Sequence, residues 1–223
     1  MFDLTSHEAI AKCLIKDPIV LSPRTKLVDA AKTMAQINKM CNINDAVRAE
    51  VLSSKSSCVL VIEKDRLLGI VTERDLLKLF TSTIAWQNMT LGEVMSSPVV
   101  TVHLDEELTP LRISQVLQNH HIRHLPVISH EGNLVGLITH QLLRNTIEAA
   151  HLLRLRFVSE VMVEAVVHGA IDDSLWDCAS LMLTHNIGSV IVAKPHPKLE
   201  DALVAVGLIT EQDILQLRAL EID

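Results

Sequence analysis

The chain has 223 residues, 48% of them hydrophobic, and a formal net charge of −7 at pH 7. The apolar content is enough for a folded core, whereas the negative charge argues against nucleic acid as the main partner, because phosphate binding needs an excess of Lys and Arg. Two Trp, three Phe and no Tyr leave few side chains on which bases could stack.

Apolar runs are short, as at 58–62, which excludes a membrane span in this sequence. The four cysteines are scattered without a CxxC pair, which predicts a reducing, cytoplasmic setting.

The first part of the chain predicts a short strand, a helix, two strands and a second helix. Apolar side chains recur at helical spacing from Leu27 to Ala35, which indicates one buried face. The expected elements are a strand over 18–21, a helix from 27, strands over 58–62 and 67–71, and a helix over 73–80. An insertion over about 38–54 lengthens this part, and the sequence assigns it no role.

The same order of elements follows twice more, so the chain consists of three β-α-β-β-α repeats. Thr109 and Pro110 have the features of an N-cap and a first helical residue. The second repeat predicts a strand over 98–102, a helix from 110 with Ile113, Val116 and Leu117 on its apolar face, strands over 124–128 and 134–138, and a helix over 140–147. The third predicts a strand over 165–167, a helix with Leu175, Ala179, Met182 and Leu183 on one face, strands over 189–193 and 203–209, and a helix over 211–220. The continuous apolar character of the strands favours small mixed sheets covered on both faces, an α/β (α+β) fold.

Each repeat ends in one phrase: Gly, two aliphatic residues, Thr and, in two repeats, Asp three residues after the Thr. The three phrases occupy 69–75, 136–142 and 207–213. A strand that runs into a Thr-led helix brings a hydroxyl and free backbone N–H groups together, which suits a phosphate and a ribose. Thr-x-x-Asp also matches a helix capping box, and the sequence leaves both interpretations open.

These phrases, together with Val94-Met95-Ser-Ser-Pro98, Val161-Met162 and the stretch from Ile122 to Ile128, resemble the CBS-domain family. The resemblance covers residues 10–81, 89–149 and 156–220. It implies that the units work in pairs and bind adenosine-type ligands such as AMP, ADP or ATP between them, with no required cofactor.

Carried over by position, the resemblance implies one nucleotide site in the first repeat and another in the third. In the first, Asp75 would accept the ribose hydroxyls and Thr72 would face a phosphate with Arg74 beside it, while the base would lie against Ile19, Val20, Cys58 and Val59. In the third, Thr210 and Asp213 would repeat these roles, with the base near Val166, Val167, Ser189 and Val190. The second repeat has Leu142 in place of the Asp, so its own site is expected to be inactive, and Arg123 and His124 would contact the phosphate of the first site.

Other chemistry has less support in the sequence. The neighbouring spacings of His120, His121 and His124 are one and three residues at the end of a predicted helix, and no acidic or cysteine ligand lies beside them, so a metal site has little support. A redox role for Cys41 or Cys58 competes with the default of an inert thiol. No nucleophile elbow, P-loop or pair of acids predicts catalysis.

The expected function is therefore that of a regulatory module, not an enzyme, which senses an adenine nucleotide and signals to an attached or partner domain. The third repeat has no partner repeat in this chain, so a fourth unit in a longer protein or a homodimer is expected. A bacterial multi-domain signalling protein is the kind of parent that this pattern resembles. The alternative is a ligand-free dimerisation scaffold whose Thr-x-x-Asp ends are only caps.

Overall fold

The computed structural model describes residues 10–11, 13–39, 55, 57–104, 108–146, 159, 162–199 and 202–220. The chain forms two compact units, one within 1–72 and 87–155 (unit 1) and one within 73–86 and 156–223 (unit 2). The predicted insertion over 38–54 lies outside the described residues, apart from the end of the first helix.

The described elements follow the predicted order in each repeat. The strands are β1 (Leu14–Ile15), β2 (Val20–Leu21), β3 (Cys58–Glu63), β4 (Arg66–Thr72), β5 (Val102–His103), β6 (His124–Ile128), β7 (Leu134–Thr139), β8 (His168–Ala170), β9 (Ser189–Pro195) and β10 (Leu203–Thr210). The α-helices are α1 (Leu27–Lys39), α2 (Glu73–Phe80), α3 (Leu91–Val94), α4 (Pro110–Asn119), α5 (His140–Thr146), α6 (Leu175–Thr184) and α7 (Glu211–Leu220), and a 3-10 turn spans Trp86–Asn88.

Unit 1 contains two small mixed sheets. One has the order β2-β3-β4, with β2 parallel and β4 antiparallel to β3. The other has the order β1-β7-β6-β5 and repeats this pattern with β5, β6 and β7, while β1 adds an antiparallel strand at the edge of β7. The predicted fold of repeated units with small mixed sheets is therefore confirmed.

The core of unit 1 confirms the apolar patterns read from the sequence. The first four residues of β3 are fully buried, as expected for a strand covered on both faces. On α1 the buried residues are those predicted from helical spacing: Leu27, Ala30, Ala31, Met34 and Ala35. On α4, Ile113 and Leu117 are buried, and the Thr109 side chain caps the helix by accepting a hydrogen bond from the Arg112 N–H at 3.2 Å.

Unit 2 contains the sheet β10-β9-β8 and the helices α2, α6 and α7. Its buried cluster joins Leu77 of α2 to residues of both other helices and of the central strand: Ala179, Met182, Val190 and Ile214. Helix α2 is further held by a hydrogen bond from Trp176 Nε1 to the Thr81 carbonyl at 3.3 Å. Helix α2 is the last element of the first repeat in sequence but packs with the elements of the third.

The first strand of each repeat begins later than predicted, and in the first two repeats it is also shorter. The strand expected over 98–102 is Val102–His103, and that expected over 165–167 is His168–Ala170. These strands have two or three residues, because only those that pair with the central strand are held extended. Leu175 was also placed wrongly on the buried face of its helix, since its side chain is 43% exposed.

No described helix has both the length and the apolar content to cross a membrane.

Candidate functional site

The three Thr residues of the repeated phrase occupy equivalent places. Each ends the last strand of its repeat, pairs with the first residue of the central strand and is followed directly by a helix. The pairs are Thr72 with Cys58, Thr139 with His124, and Thr210 with Ser189. In every repeat the residue before the Gly is unpaired in a bulge, so the last strand reaches the helix start in the same register.

The third repeat shows this helix start in full, within unit 2. The Thr210 hydroxyl donates to Asp213 Oδ2 at 2.6 Å and the Thr210 N–H donates to the same oxygen at 2.9 Å. The Asp213 N–H in turn donates to the Thr210 hydroxyl at 3.2 Å. These bonds form a capping box. The Asp213 carboxylate is exposed, so a ribose could reach it by replacing the Thr210 bonds.

The strands beside this helix start include one residue that sequence reasoning missed. His168 pairs with Ile191 two residues into the central strand, as Val20 pairs with Leu60. Val167 and His168, rather than Val166 and Val167, therefore correspond to Ile19 and Val20. The pairing register shows this, and no local motif in the sequence does.

Several residues predicted to contact the base are part of the core. The exposed fractions are 1% for Cys58 and 0% for Val59 and Val190. The accessible candidates are Val20 and Val166, which are 42% and 47% exposed, together with the exposed Ser189. Ile19 is buried, and its carbonyl accepts the Leu60 N–H at 2.9 Å.

Arg74 was predicted beside the first site, but its guanidinium lies at the start of α7 in the third repeat. Its Nη2 and Nε lie 2.7 and 2.8 Å from Glu211 Oε1, and Nη1 donates to the Asn186 side chain. Glu211 is 4% exposed. The sequence placed a cation only at the first site, whereas the fold of unit 2 brings one to the third.

The predicted first site divides between the two units, because the boundary falls between Thr72 and Glu73. On the unit 1 side, Thr72 is half-buried opposite Cys58. On the unit 2 side, Asp75 lies in the first turn of α2 with Lys78 Nζ 3.9 Å from its Oδ1.

The second repeat has a closed helix start. Thr139 is 3% exposed, Leu142 is 8% exposed, and the Leu142 N–H donates to the Thr139 hydroxyl at 3.3 Å. Leu142 thus stands where the other repeats carry a carboxylate and is a core residue. An apolar side chain at this position cannot accept hydrogen bonds from a ribose.

His124 and Arg123 differ in their surroundings. His124 Nε2 lies 2.7 Å from the Ser57 hydroxyl, and burial, aided by the nearby Arg123 charge, lowers the pKa of His124 to about 3. Its imidazole is therefore neutral near pH 7 and offers a phosphate no positive charge. Arg123 is exposed at the surface.

A cleft of roughly 510 Å³ in unit 1 lies at the hairpin ends of the two sheets. Arg66 and Glu131 line it with Ser97, Pro98 and Thr101. The described residues contain no cluster of three or more His, Cys, Asp or Glu side chains suited to a metal ion. Cys58 and Cys178 are buried and not disulfide-bonded, and Cys41 lies outside the described residues.

Comparisons with known proteins agree with this architecture. Among curated proteins, the chain is 28% identical over 125 residues to an L-aspartate semialdehyde sulfurtransferase from Methanocaldococcus jannaschii, a match that covers 56% of this chain and 22% of that protein. It is 27% identical over 147 residues to the uncharacterized protein MJ1225 of the same organism, which covers 61% of this chain and 46% of that protein. The chain thus spans less than half the length of either relative.

Among solved structures, the crystal structure of MJ1225, presented as an archaeal homolog of g-AMPK, superposes with a TM-score of 0.68. The superposition covers 93% of this chain and 71% of that chain at 17% identity, a likeness of fold alone.

The CBS-domain family model matches residues 10–82, 91–148 and 158–219. These three stretches cover most of the chain and contain the repeated strands and helices described above, so this chain belongs to the CBS-domain family of regulatory modules.

Proposed function

We propose that this chain is a regulatory module that binds an adenosine-type nucleotide and transmits the binding event to an attached or partner domain. The observation that carries the proposal is the start of α7, where Thr210 and Asp213 bring a hydroxyl, an exposed carboxylate and a helix N-terminus together at the end of a strand. These groups match the ribose and phosphate of a nucleotide in chemical type.

The charges around this site favour a ligand with few phosphates. Arg74 brings a positive charge to the start of α7, but its guanidinium already donates hydrogen bonds to the side chains of Glu211 and Asn186. A nucleotide phosphate would therefore compete with a buried carboxylate for this guanidinium. AMP fits this balance better than ATP.

Signalling follows from the way the site is built. A ligand that bonds Asp213 Oδ2 competes with the capping bonds from Thr210, and this competition biases the position of α7. A ligand can shift a conformational equilibrium only by its different affinity for the two states. Helix α7 packs against α2 in unit 2, and α2 is the proposed element that carries the change.

Thermal unfolding of the chain with AMP, ADP, ATP, NAD, S-adenosylmethionine and cyclic di-AMP tests the proposal. A nucleotide at 100 times its dissociation constant adds about 2.7 kcal/mol to the free energy of unfolding. The shift is expected for AMP and is expected to disappear in Asp213→Ala.

A matched control separates ligand binding from capping. Asp177 forms the same capping box with Ser174 on α6, with the Ser174 hydroxyl 2.6 Å from Asp177 Oδ2. Asp177→Ala and Asp213→Ala should each cost about 1 kcal/mol of unliganded stability, but only Asp213→Ala should lose the nucleotide shift. Equal shifts in both variants would assign Asp213 to capping alone.

A ligand-free dimerisation scaffold is the second candidate function. The complete capping box at Asp213 favours this function, because capping alone accounts for an Asp at this position and no ligand is needed. Light scattering with the nucleotide series discriminates the two, because a scaffold is a stable dimer whose thermal midpoint no nucleotide changes. For either function we propose a cytoplasmic protein without catalytic activity of its own. We also propose that its three repeats span residues 10–81, 89–149 and 156–220.

A further inference from the structure

The cleft in unit 1 lies at the opposite end of the strands from the Thr residues of the repeated phrase. Strand β4 begins at Arg66, which lines the cleft, and ends at Thr72. At about 3.3 Å per residue, the two ends of this strand are roughly 20 Å apart. In the second repeat Glu131 and Gly132 line the cleft just before β7, whereas Thr139 ends that strand. A ligand in the cleft is therefore distinct from a nucleotide at a strand-to-helix junction.

Backbone contacts between the first two repeats hold the walls of the cleft. Ile70 and Ser96 exchange two backbone hydrogen bonds of 3.2 and 2.9 Å. Nearer the start of β4, Arg66 pairs with Asn133 as an isolated antiparallel bridge. The residues of β4 that line the cleft begin at this bridge, and the lining segment of the second repeat begins directly after Ser96. The walls are therefore in place without a ligand, as is usual for a small-molecule site.

Two opposite charges line this cleft without pairing with each other. Arg66 and Glu131 are exposed, and neither forms an ion pair with a residue that the structure describes. Glu131 Oε2 instead accepts a hydrogen bond from the side-chain amide of Asn133 at 3.2 Å. The turn that carries Glu131 is closed by a hydrogen bond of 2.9 Å from the Gly132 N–H to the Ser129 carbonyl. The cleft thus presents a guanidinium and a carboxylate at separate places.

The remaining lining supplies hydroxyls and an apolar surface. Ser97 and Thr101 bring one hydroxyl each. The cleft has a volume of about 510 Å³, within the range of roughly 300–1,000 Å³ that small-molecule sites have. It therefore suits a small molecule that carries both charges and an apolar part. The apolar side chains of the lining are Leu67, Leu68, Pro98, Val99 and Ile128.

An α-amino acid with an apolar side chain has these features. Its carboxylate suits Arg66, because the planar fork of a guanidinium binds a carboxylate through two parallel hydrogen bonds. Its ammonium group is a hydrogen-bond donor with the charge opposite to that of Glu131. A polyphosphate fits less well, since several negative charges would face one cation and lie beside a carboxylate.

We propose that this cleft binds a free α-amino acid with an apolar side chain, with its carboxylate on Arg66 and its ammonium group on Glu131. Its side chain lies against the apolar residues Leu68, Val99 and Ile128. The bound molecule contacts β4 of the first repeat and the β6–β7 hairpin of the second, so it stabilises their arrangement within unit 1. The site is separate from the start of α7, and failure of either proposal leaves the other standing.

Titration calorimetry of the full chain with leucine, valine and methionine tests the proposal. Saturable binding is expected, with weaker binding of glycine, which has no apolar side chain. Leucinamide lacks the carboxylate and N-acetylleucine lacks the ammonium charge. Each should bind at least about tenfold more weakly than leucine, because each loses a charge-assisted hydrogen bond. No heat of binding with any of the three amino acids, or equal affinity for leucine and both derivatives, would overturn the proposal.

Two matched pairs of variants locate the site. Arg66→Gln and Lys64→Gln each remove one positive charge from the β3–β4 hairpin, but only Arg66 lines the cleft. Glu131→Gln and Glu63→Gln are matched in the same way for a negative charge. Only Arg66→Gln and Glu131→Gln should weaken leucine binding, by about tenfold or more, with an unchanged far-UV circular dichroism spectrum. Leucine binding of wild-type strength in all four variants would contradict the assignment to this cleft.

The leucine derivatives assign each contact. In Arg66→Gln, leucine and leucinamide should bind with the same low affinity, because the carboxylate has lost its partner. In Glu131→Gln, the same is expected of leucine and N-acetylleucine. A preference for leucine over leucinamide that survives Arg66→Gln would contradict the proposed contact. Asp213→Ala should keep leucine binding, so this site is tested separately from the nucleotide site.

Discussion

At the scale of single residues, the ion pair between Arg74 and Glu211 ties the start of α2 to the start of α7. Two guanidinium nitrogens contact one Glu211 oxygen, at 2.7 and 2.8 Å, and that carboxylate is almost fully buried. A buried carboxylate needs such hydrogen bonds, because without them the free energy lost on removing it from water is not compensated.

Arg74→Ala is therefore expected to lower the free energy of unfolding by roughly 2 kcal/mol, since it removes charge-assisted bonds from a buried group. Urea denaturation measures the change. The double variant Arg74→Ala, Glu211→Gln should recover part of the loss, because a neutral amide costs less to bury than a carboxylate. A double variant whose loss equals the sum of the two single losses would show that the pair does not interact.

His124 makes stability depend on pH in the acidic range. Its pKa falls from 6.5 to about 3 in the folded protein. Below pH 6.5 the unfolded chain therefore binds a proton that the folded chain does not, and stability decreases as the pH falls towards 3. Above pH 6.5 the residue adds no pH dependence.

Between pH 7 and pH 5 this imidazole is expected to account for up to about 2 kcal/mol of lost stability. Urea denaturation at both pH values should show a smaller loss in His124→Gln than in the wild type. His120→Gln, at an exposed residue on the approach to β6, is the control and should lose as much as the wild type. An identical loss in all three proteins would contradict the assignment to His124.

At the scale of elements, helix α6 shows which of its predicted apolar positions form the core of unit 2. Met182 is fully buried against Val190 and Ile214, whereas Leu175, which was predicted on the same face of the helix, is 43% exposed. Helical spacing places both residues on one face of the helix. Which turn of that face is buried depends on where the rest of unit 2 packs against it.

Met182→Ala should lower the free energy of unfolding by about 2–5 kcal/mol, because it removes buried methylene groups and leaves a cavity. Leu175→Ala removes a side chain of similar size from the same helix and should cost less than about 1 kcal/mol. Thermal or urea unfolding of the two variants compares them directly. A cost for Leu175→Ala as large as that for Met182→Ala would mean that Leu175 is covered in solution.

Helices and central strands were predictable from the sequence because their signals are local. The spacing on α1, the cap at Thr109 and the continuous apolar run of β3 each indicate an element without reference to the rest of the chain. The first strands of the repeats were not predictable in this way. Strands β2, β5 and β8 are defined only by their pairing, over two or three residues, with a strand that is distant in sequence. The register position of His168 was missed for the same reason.

At the scale of the molecule, three nearly identical phrases lie in three different environments. In the second repeat Leu142 closes the helix start, while in the third the start of α7 is open and Arg74 lies beside it. The phrase predicts the backbone path, because a Gly, an aliphatic pair and a Thr shape a strand that enters a helix. The phrase cannot predict which side chains surround the helix start, because Arg74, for example, comes from a distant part of the chain.

Titration calorimetry of AMP into the purified chain tests nucleotide binding most directly. The account predicts saturable binding that persists in Asp177→Ala and is lost in Asp213→Ala, because only Asp213 lies at the strand-to-helix junction with an exposed carboxylate. Binding that Asp213→Ala leaves unchanged, or the absence of binding with AMP and every other adenosine-type nucleotide, would contradict the account.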